Sequence, residues 1–454
     1  MTPGAKPENG VAWPDALCAP VRSLPEHARL WVAVSGGLDS VLLLHVVAHS
    51  HAARVPVVAI HVNHQLQSNA SDSEALCRAL CDRLGVHFIS RRVSVQTDKV
   101  SDEAGDVGGI EEAARRARYS VFEQVLEPCD LLLMAHHADD QAETILFRLM
   151  RGSGVAGLAG MPRSRALGAG QLVRPWLDLE RAELERWARQ ASLDWVEDPS
   201  NTDQGYDRNY LRHGILPGLK ARWPNLSRRL RHSAGACADS AFLNDRLAEL
   251  QCAQVGDTDG RLSSPSLQAL AAIEQVNLVR WWIRQQGFEP PAISDWQQVL
   301  QELLEAGPDR EPELLGEGFS LRRFQGRIYL VPERGEKPDS PQEFLPGQSI
   351  VFGGWTLALE SAANPESVLP PIRVSTRQGG ERIRLHPDGH SKSLKNWLQE
   401  QAVPPWERTR LPLVFAGSGD DAVLIAVGDL WCSGQYSGSA PAAGWRLIVK
   451  REGD

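Results

Sequence analysis

"VAVSGGLDSVLLLHVVAHS" runs from Val32 to Ser50. Two serines, two glycines and an aspartate fall within Ser35–Ser40, after the apolar run "LWVAV" (30–34) and before a nearly all-apolar one. The pattern is a buried strand, a turn of bare backbone, then a buried helix. Such a turn leaves backbone N–H groups free at a helix N-terminus, where the helix dipole favours negative charge. Gly36 and Gly37 let the chain approach an anion closely, the N–H of Leu38 adds to the cradle, and Ser35 and Ser40 add hydroxyls. The stretch is neither GxxxxGK[ST], since it has no lysine, nor GxGxxG. Asp39 would repel bare phosphate, so a Mg²⁺ ion bridging its carboxylate to a nucleotide's phosphates is inferred.

The strand–helix rhythm continues outward. Segments 55–62, 86–95 and 130–135 read as further strands, and 71–85, 110–126 and 139–150 as helices. Strands alternating with helices predict an α/β domain with a doubly wound parallel sheet. A Gly-rich stretch (151–175) shows no regular element, and another helix follows at 180–192. Residues 208–305 read as mostly helical, 333–343 as a linker, and 344–450 as short strands with one helix near "SLKNWLQEQ" (393–401), a small α+β domain. The expected division is a disordered tail (1–12), a nucleotide-binding catalytic domain (13–220), a helical substrate-binding domain (221–332), the linker, and a C-terminal domain (344–454).

No run approaches the roughly 20 apolar residues of a membrane span, and "MTPGAKPENG" lacks the apolar core of a signal peptide. The seven cysteines contain no CxxC and read as small buried thiols of a reducing cytosol, so a cytoplasmic location is expected. The net charge, 48 − 57 = −9, does not suggest nucleic acid, but its distribution does. "RNYLRHGILPGLKARWPNLSRRLR" (208–231) holds seven Lys/Arg and no Asp or Glu, a local stripe suited to phosphate contact.

Several motifs carry chemistry. His136, Asp140 and Glu143 stand at i, i+4 and i+7 about a helix start, where carboxylates could hold an ammonium group, accept its proton or share Mg²⁺. Asp139 could do the same or only cap the helix. His136 and His137 could ligate zinc, but no Cys or third His stands at ligand spacing. Arg115 and Arg118, three apart, suit a polyphosphate or a developing charge. His61 and His64, at a strand end, could border the nucleotide. The polar stretch 96–109 reads as a flap over the site. In the tail, Arg382, Arg384, Lys392, Lys395, Arg408 and Arg410 could dock RNA, and Trp397 and Trp406 read as core.

SGGxDS after a first strand resembles the PP-loop ATP pyrophosphatases, which cleave ATP between the α and β phosphates. "HVNHQLQ" (61–67), "EEAARRARY" (111–119), "HHADDQAETILFRLMRGSGVAGLAGM" (136–161), "VRPWL" (173–177), "WVEDPSNTDQGYDRNYLRHGILP" (195–217) and the stretch 379–415 together resemble the tRNA(Ile)-lysidine synthetases. Gln65 and Gln67 depart from that pattern. The resemblance implies ATP and Mg²⁺ as cofactors, and a tRNA(Ile) with a CAU anticodon and L-lysine as substrates. The carbon-2 oxygen of the wobble cytidine would be adenylated, and the lysine ε-amine would then displace AMP to form lysidine. It carries over His136, Asp140 and Glu143, and an R-N-x-x-R pattern matches Arg208, Asn209 and Arg212. Arg208 is assigned near the reacting groups, Arg212 to tRNA phosphate, and Asp198 and Asn201 to a turn. The expected site is thus Asp39, Asp140, Glu143 and Arg208 for chemistry; Ser35–Ser40, His61, Arg115 and Arg118 for the nucleotide; Asp39 for the metal; and His136 and Arg212 for substrate. A tRNA thiolase fits less well without a CxxC, an amidotransferase-type synthetase less well without an N-terminal cysteine, and a non-catalytic tRNA binder would not need the clustered carboxylates. Oligomeric state is left open, a homodimer included.

Overall fold

The computed structural model describes residues 13–451 apart from 52–54, 65–69, 94–107, 198–204, 206, 308–309, 311, 334–337, 339, 362–369, 387–388, 420–421 and 438–443. The tail 1–12, Gln65 and Gln67, most of the flap, Asp198 and Asn201, and part of the linker lie outside the described residues. Two compact units follow one another, residues 1–244 and 245–454.

The first unit is built on a six-stranded sheet. β1 (Arg29–Ala33), β2 (Val57–Asn63), β3 (His87–Arg92), β4 (Asp130–Leu133), β5 (Ser164–Leu167) and β6 (Gly170–Val173) lie in the order β3-β2-β1-β4-β6-β5. All pairings are parallel except that of β5 with β6. The β5–β6 hairpin falls in the Gly-rich stretch that showed no element in the sequence. Between them stand α1 (Asp15–Arg22), α2 (Leu38–His51), α3 (Ala70–Leu84), α4 (Gly108–Val125), α5 (Ala138–Met150), α6 (Val155–Leu158) and α7 (Arg181–Gln190).

Strand residues alternate between faces, and so do their partners. Leu30, Val32, Leu131 and Leu133 pack with α1, α2, α3 and α7. Trp31, Val58, Ile60 and Leu132 pack against Phe122 of α4 and Leu126 just beyond its end. The sheet is therefore covered on both faces, as a doubly wound fold requires. Helix α2 is buried nearly all round, with Leu42, Leu43, Leu44, Val46 and Val47 fully enclosed. Each such side chain stabilises by about 1.5–3 kcal/mol. That packing fixes the helix start, and with it Asp39.

Strand order reverses between β1 and β4. The chain winds outward through β2 and β3, then returns to β1's other side. Ligands of open α/β sheets bind at the carboxyl ends of strands flanking such a switch point. Here those ends lead into Ser35–Ser40 and into His136–Asp140.

After α7 come α8 (Asp207–Tyr210), a π-helical turn (Leu211–Ile215) and α9 (Leu216–Arg222). Pro217 has no N–H to donate one turn back, which relaxes the helix into the wider turn. The 30-residue helix α10 (Leu226–Val255) continues into the second unit.

The second unit opens with β7 (Leu262–Ser263), α11 (Ser264–Gln268), α12 (Ala272–Gln285) and α13 (Trp296–Glu305). The helical middle is joined by a sheet absent from the sequence reading, in the order β7-β10-β9-β8, with β8 (Glu313–Gly316), β9 (Phe319–Phe324) and β10 (Arg327–Pro332). Its inner face shares one core with α12 and α13. The C-terminal part has sheets of five, three and two strands and the expected helix, here Leu394–Glu400. Trp397 is core, as read from the sequence. Trp406 is not: half-buried, it meets the ring of Tyr329 edge-on at 5.3 Å. No helix among the described residues is long and apolar enough to cross a membrane.

Candidate active site

The loop after β1 is shaped by its own small side chains. Ser40 Oγ accepts the Ser35 N–H at 3.1 Å and donates to the Gly37 carbonyl at 2.9 Å. Ser35 Oγ accepts the Gly37 N–H at 3.3 Å. The hydroxyls expected to donate to an anion are thus engaged within the loop. The anion-facing donors are the first backbone N–H groups of α2, from Leu38 on, which have no partner inside the helix. Gly36 has φ +89°, a region L side chains avoid, and an added Cβ would stand 3.4 Å from that of Ser73.

Asp39 stands in the first turn of α2. One carboxylate oxygen, Oδ2, lies 3.7 Å from His137 Nε2. The other, Oδ1, is buried and has no hydrogen-bond partner among the described residues. A buried carboxylate oxygen in that state suits a cation. Among the described residues no group of three or more His, Cys, Asp or Glu is placed to hold a metal. Mg²⁺ needs none, since one or two carboxylates plus substrate phosphates suffice.

The turn after β4 is a charge network. His137 caps α5: its Nδ1 accepts the Asp140 N–H, and Asp140 Oδ2 accepts the His137 N–H at 3.0 Å. His137 Nε2 lies between Asp39 and Asp140, 3.4 Å from the latter. Burial pushes the imidazole's pKa down, but Asp140, Asp39 and Asp139 outweigh it and hold it above its ordinary value. Burial raises the Asp140 pKa, yet His137, His136, the backbone N–H and Arg212 bring it below the usual carboxylate range. Glu143, one turn on, is more deeply enclosed. Burial holds its pKa above the usual range despite Arg212.

Arg212, assigned from the sequence to tRNA phosphate, is turned onto these carboxylates. Its Nε and Nη2 donate to the two oxygens of Glu143 at 2.6 and 2.8 Å, and Nη2 also donates to Asp140 at 3.1 Å. The π-helical turn carries it. Asp139 does not cap α5 but accepts the Lys220 ammonium and the Arg181 N–H. Lys220 and Ser227 also reach Glu180, so the basic segment is tied to the starts of α5 and α7. Arg208 lies over the Phe147 ring of α5 at 5.8 Å.

The other expected residues flank this centre. His61 is buried at the end of β2 and donates from Nδ1 to the Val34 carbonyl at 2.8 Å, so it supports the loop's entry rather than lining it. Burial lowers its pKa. Arg118 donates to His64 at 3.3 Å, whereas Arg115 lies over Tyr119, so the two arginines share a helix but not partners. His136 accepts from Arg174 Nε at 3.1 Å, and burial takes its pKa down to about 4. With His136 Nδ1 and His137 Nδ1 both accepting N–H groups, nothing favours the zinc alternative. In the tail, Lys392 pairs with Glu400, and Arg408 donates to the Val403 carbonyl, while Arg382, Arg384 and Lys395 are exposed.

Sequence reasoning did not assign His137, Arg174 or Lys220 these positions. His137 had a signal, since a His-x-x-Asp spacing at a helix start is a variant of the capping box. Arg174 had only its charge, set at the end of an apolar run.

Three family models match the chain: a PP-loop domain over residues 15–219, a TilS substrate binding domain over 262–329 and a TilS substrate C-terminal domain over 372–449. The chain is 34% identical to the tRNA(Ile)-lysidine synthase of Coxiella burnetii over 97% of each chain. It is 37% identical to that of Alkalilimnicola ehrlichii, again over 97% of each. With that of Ralstonia nicotianae it shares 38% identity over 88% of this chain and 91% of the relative. The chain belongs to the tRNA(Ile)-lysidine synthase family. It is an ATP-using, tRNA-modifying ligase, and the switch-point site lies within its PP-loop ATP-binding domain.

Proposed function

We propose that this lysidine synthase works in two half-reactions on two neighbouring loops. In the first, the carbon-2 oxygen of the wobble cytidine of a CAU-anticodon tRNA(Ile) attacks the α-phosphorus of ATP, and pyrophosphate leaves. In the second, the ε-ammonium of free lysine loses one proton, its lone pair attacks carbon 2, AMP leaves with the former carbon-2 oxygen, and the nitrogen loses a second proton. One observation carries this reading: an anion cradle and a carboxylate pair stand at the carboxyl ends of adjacent strands.

The backbone of Ser35–Ser40 cradles the pyrophosphate half of ATP. Asp39, with its unpartnered buried oxygen, is the residue that would hold Mg²⁺, which neutralises charge on the phosphates when bound. Asp140 and Glu143 receive the lysine ammonium. Glu143, its pKa raised by burial, is suited to take a proton from the attacking amine. Arg212 keeps the pair aligned, and Arg208 serves near the reacting base. Residues 13–220 form the catalytic domain, 221–332 bind substrate, and 344–454 dock the tRNA body through exposed Arg382, Arg384 and Lys395. The enzyme acts in the cytoplasm.

The test is incorporation of labelled lysine into a CAU-anticodon tRNA(Ile) transcript with ATP and Mg²⁺, following AMP and pyrophosphate. Incorporation that depends on ATP and on the wobble cytidine is expected. Pyrophosphate release without lysine uptake would overturn the assignment of lysine as nucleophile.

A further inference from the structure

Three guanidinium groups gather where α4 meets the β5–β6 hairpin. Arg115 and Arg165 lie over the same Tyr119 ring, 5.1 and 4.9 Å from its centroid. Arg174, 2% exposed, sits beside them. It donates to His136 at 3.1 Å and to the Pro162 carbonyl at 2.7 Å. Among the described residues none of the three pairs with a carboxylate, in a chain whose net charge is −9. A buried cation with only neutral partners is costly unless an anion completes it. Burial, then Arg165 and Arg115, press the Arg174 pKa below its ordinary value, which agrees with a site short of negative charge.

We propose that Arg115, Arg165 and Arg174 form an anion site that takes a phosphodiester of the RNA chain next to the nucleotide being modified. Arg165 and Arg115 reach the phosphate, and Arg174 supplies charge from beneath while orienting His136. The sheet order sets β6 two strands from β1, about 10 Å away at the usual strand spacing. The site therefore stands beyond the loop that cradles ATP, on the same carboxyl edge. Arginine pairs with phosphate through charge-assisted bonds, and a contact of this kind positions a nucleic acid without reading its sequence.

This inference rests on the RNA substrate of the proposed function, and Arg165→Ala tests it, since Arg165 is exposed and its loss leaves the core intact. Affinity for the unmodified tRNA transcript is measured by filter binding across a salt series, without lysine or ATP. A fall of about tenfold is expected, with the slope of log K against log salt reduced by about one. Arg165→Lys keeps most of the affinity, and the melting temperatures of both variants report the fold. Unchanged affinity and slope would overturn the proposal. So would a raised KM for ATP with unchanged tRNA affinity, which would give the site to the nucleotide's own phosphates. Because binding is read without catalysis, a wild-type enzyme that binds tRNA but takes up no lysine would sink the ligase mechanism and leave this site standing.

Discussion

The loops after β1 and β4 occupy equivalent places, each leaving a central parallel strand and opening a helix, yet they are built on opposite principles. The first, Ser35–Ser40, is held by hydroxyls and glycines, and its one charge keeps an unpartnered oxygen. The second, His136–Glu143, is held by charge: His137, Asp140, Glu143 and Arg212 satisfy one another. Neutral backbone donors suit a polyphosphate that brings its own charge and metal. A pair of enclosed carboxylates suits an ammonium group that must be held and then deprotonated. On the proposed function, the difference gives ATP to one loop and the amine to the other.

The sharpest way to break that division is Asp39→Asn. Without the charge, pyrophosphate release should fall by about 10³-fold, since electrostatic stabilisation of this kind commonly contributes two to three orders of magnitude. Near-normal release, measured with tRNA present, would remove Asp39 from metal binding. Next in size is Glu143→Gln, for which lysine transfer should fall by about 10²-fold, within the range of general acid–base effects. Pyrophosphate release should stay within about tenfold of wild type, because ATP does not use this carboxylate. Equal losses in both steps would merge the loops into one function.

Ser40→Ala sharpens the other side. It removes the acceptor of the Ser35 N–H and the donor to Gly37, at a cost of about 1–2 kcal/mol. The KM for ATP should rise by about tenfold, as a factor of ten corresponds to about 1.4 kcal/mol. A normal KM would mean that the loop's shape is kept by glycine and helix packing alone.

The smallest effect is on stability. The His137 pKa is raised in the folded protein, so its contribution is fully present below the unfolded value of about 6.5 and is lost as pH rises through the folded value. Melting temperatures of wild type and His137→Gln should differ most near pH 6, and the gap should narrow toward pH 9. A constant gap would mean that His137 acts only as a neutral cap.

Much of this was legible before any coordinates. The apolar strands and the buried α2 announce themselves by composition, and the Ser35–Ser40 turn by its glycines. Asp39, Asp140 and Glu143 follow from spacing at helix starts. The β5–β6 hairpin was not legible, because four-residue strands amid glycines carry too little periodicity. Nor were strands β8–β10, which finish their core only against α12 and α13. The carboxylate partners of Arg212 were not legible for a different reason. A basic stripe gives charge but not direction, and its carboxylate partners lie about seventy residues away in sequence. Arg174 is likewise defined by a long-range partner, His136.

The most direct test of the division between the loops uses Asp140→Asn with ATP, Mg²⁺, labelled lysine and the CAU-anticodon transcript. Pyrophosphate release and lysine incorporation are followed in the same reaction. The expected result is continued tRNA-dependent pyrophosphate release, accumulation of adenylated tRNA and little lysine transfer. Full lysine transfer, or loss of pyrophosphate release as complete as that of Asp39→Asn, would contradict it.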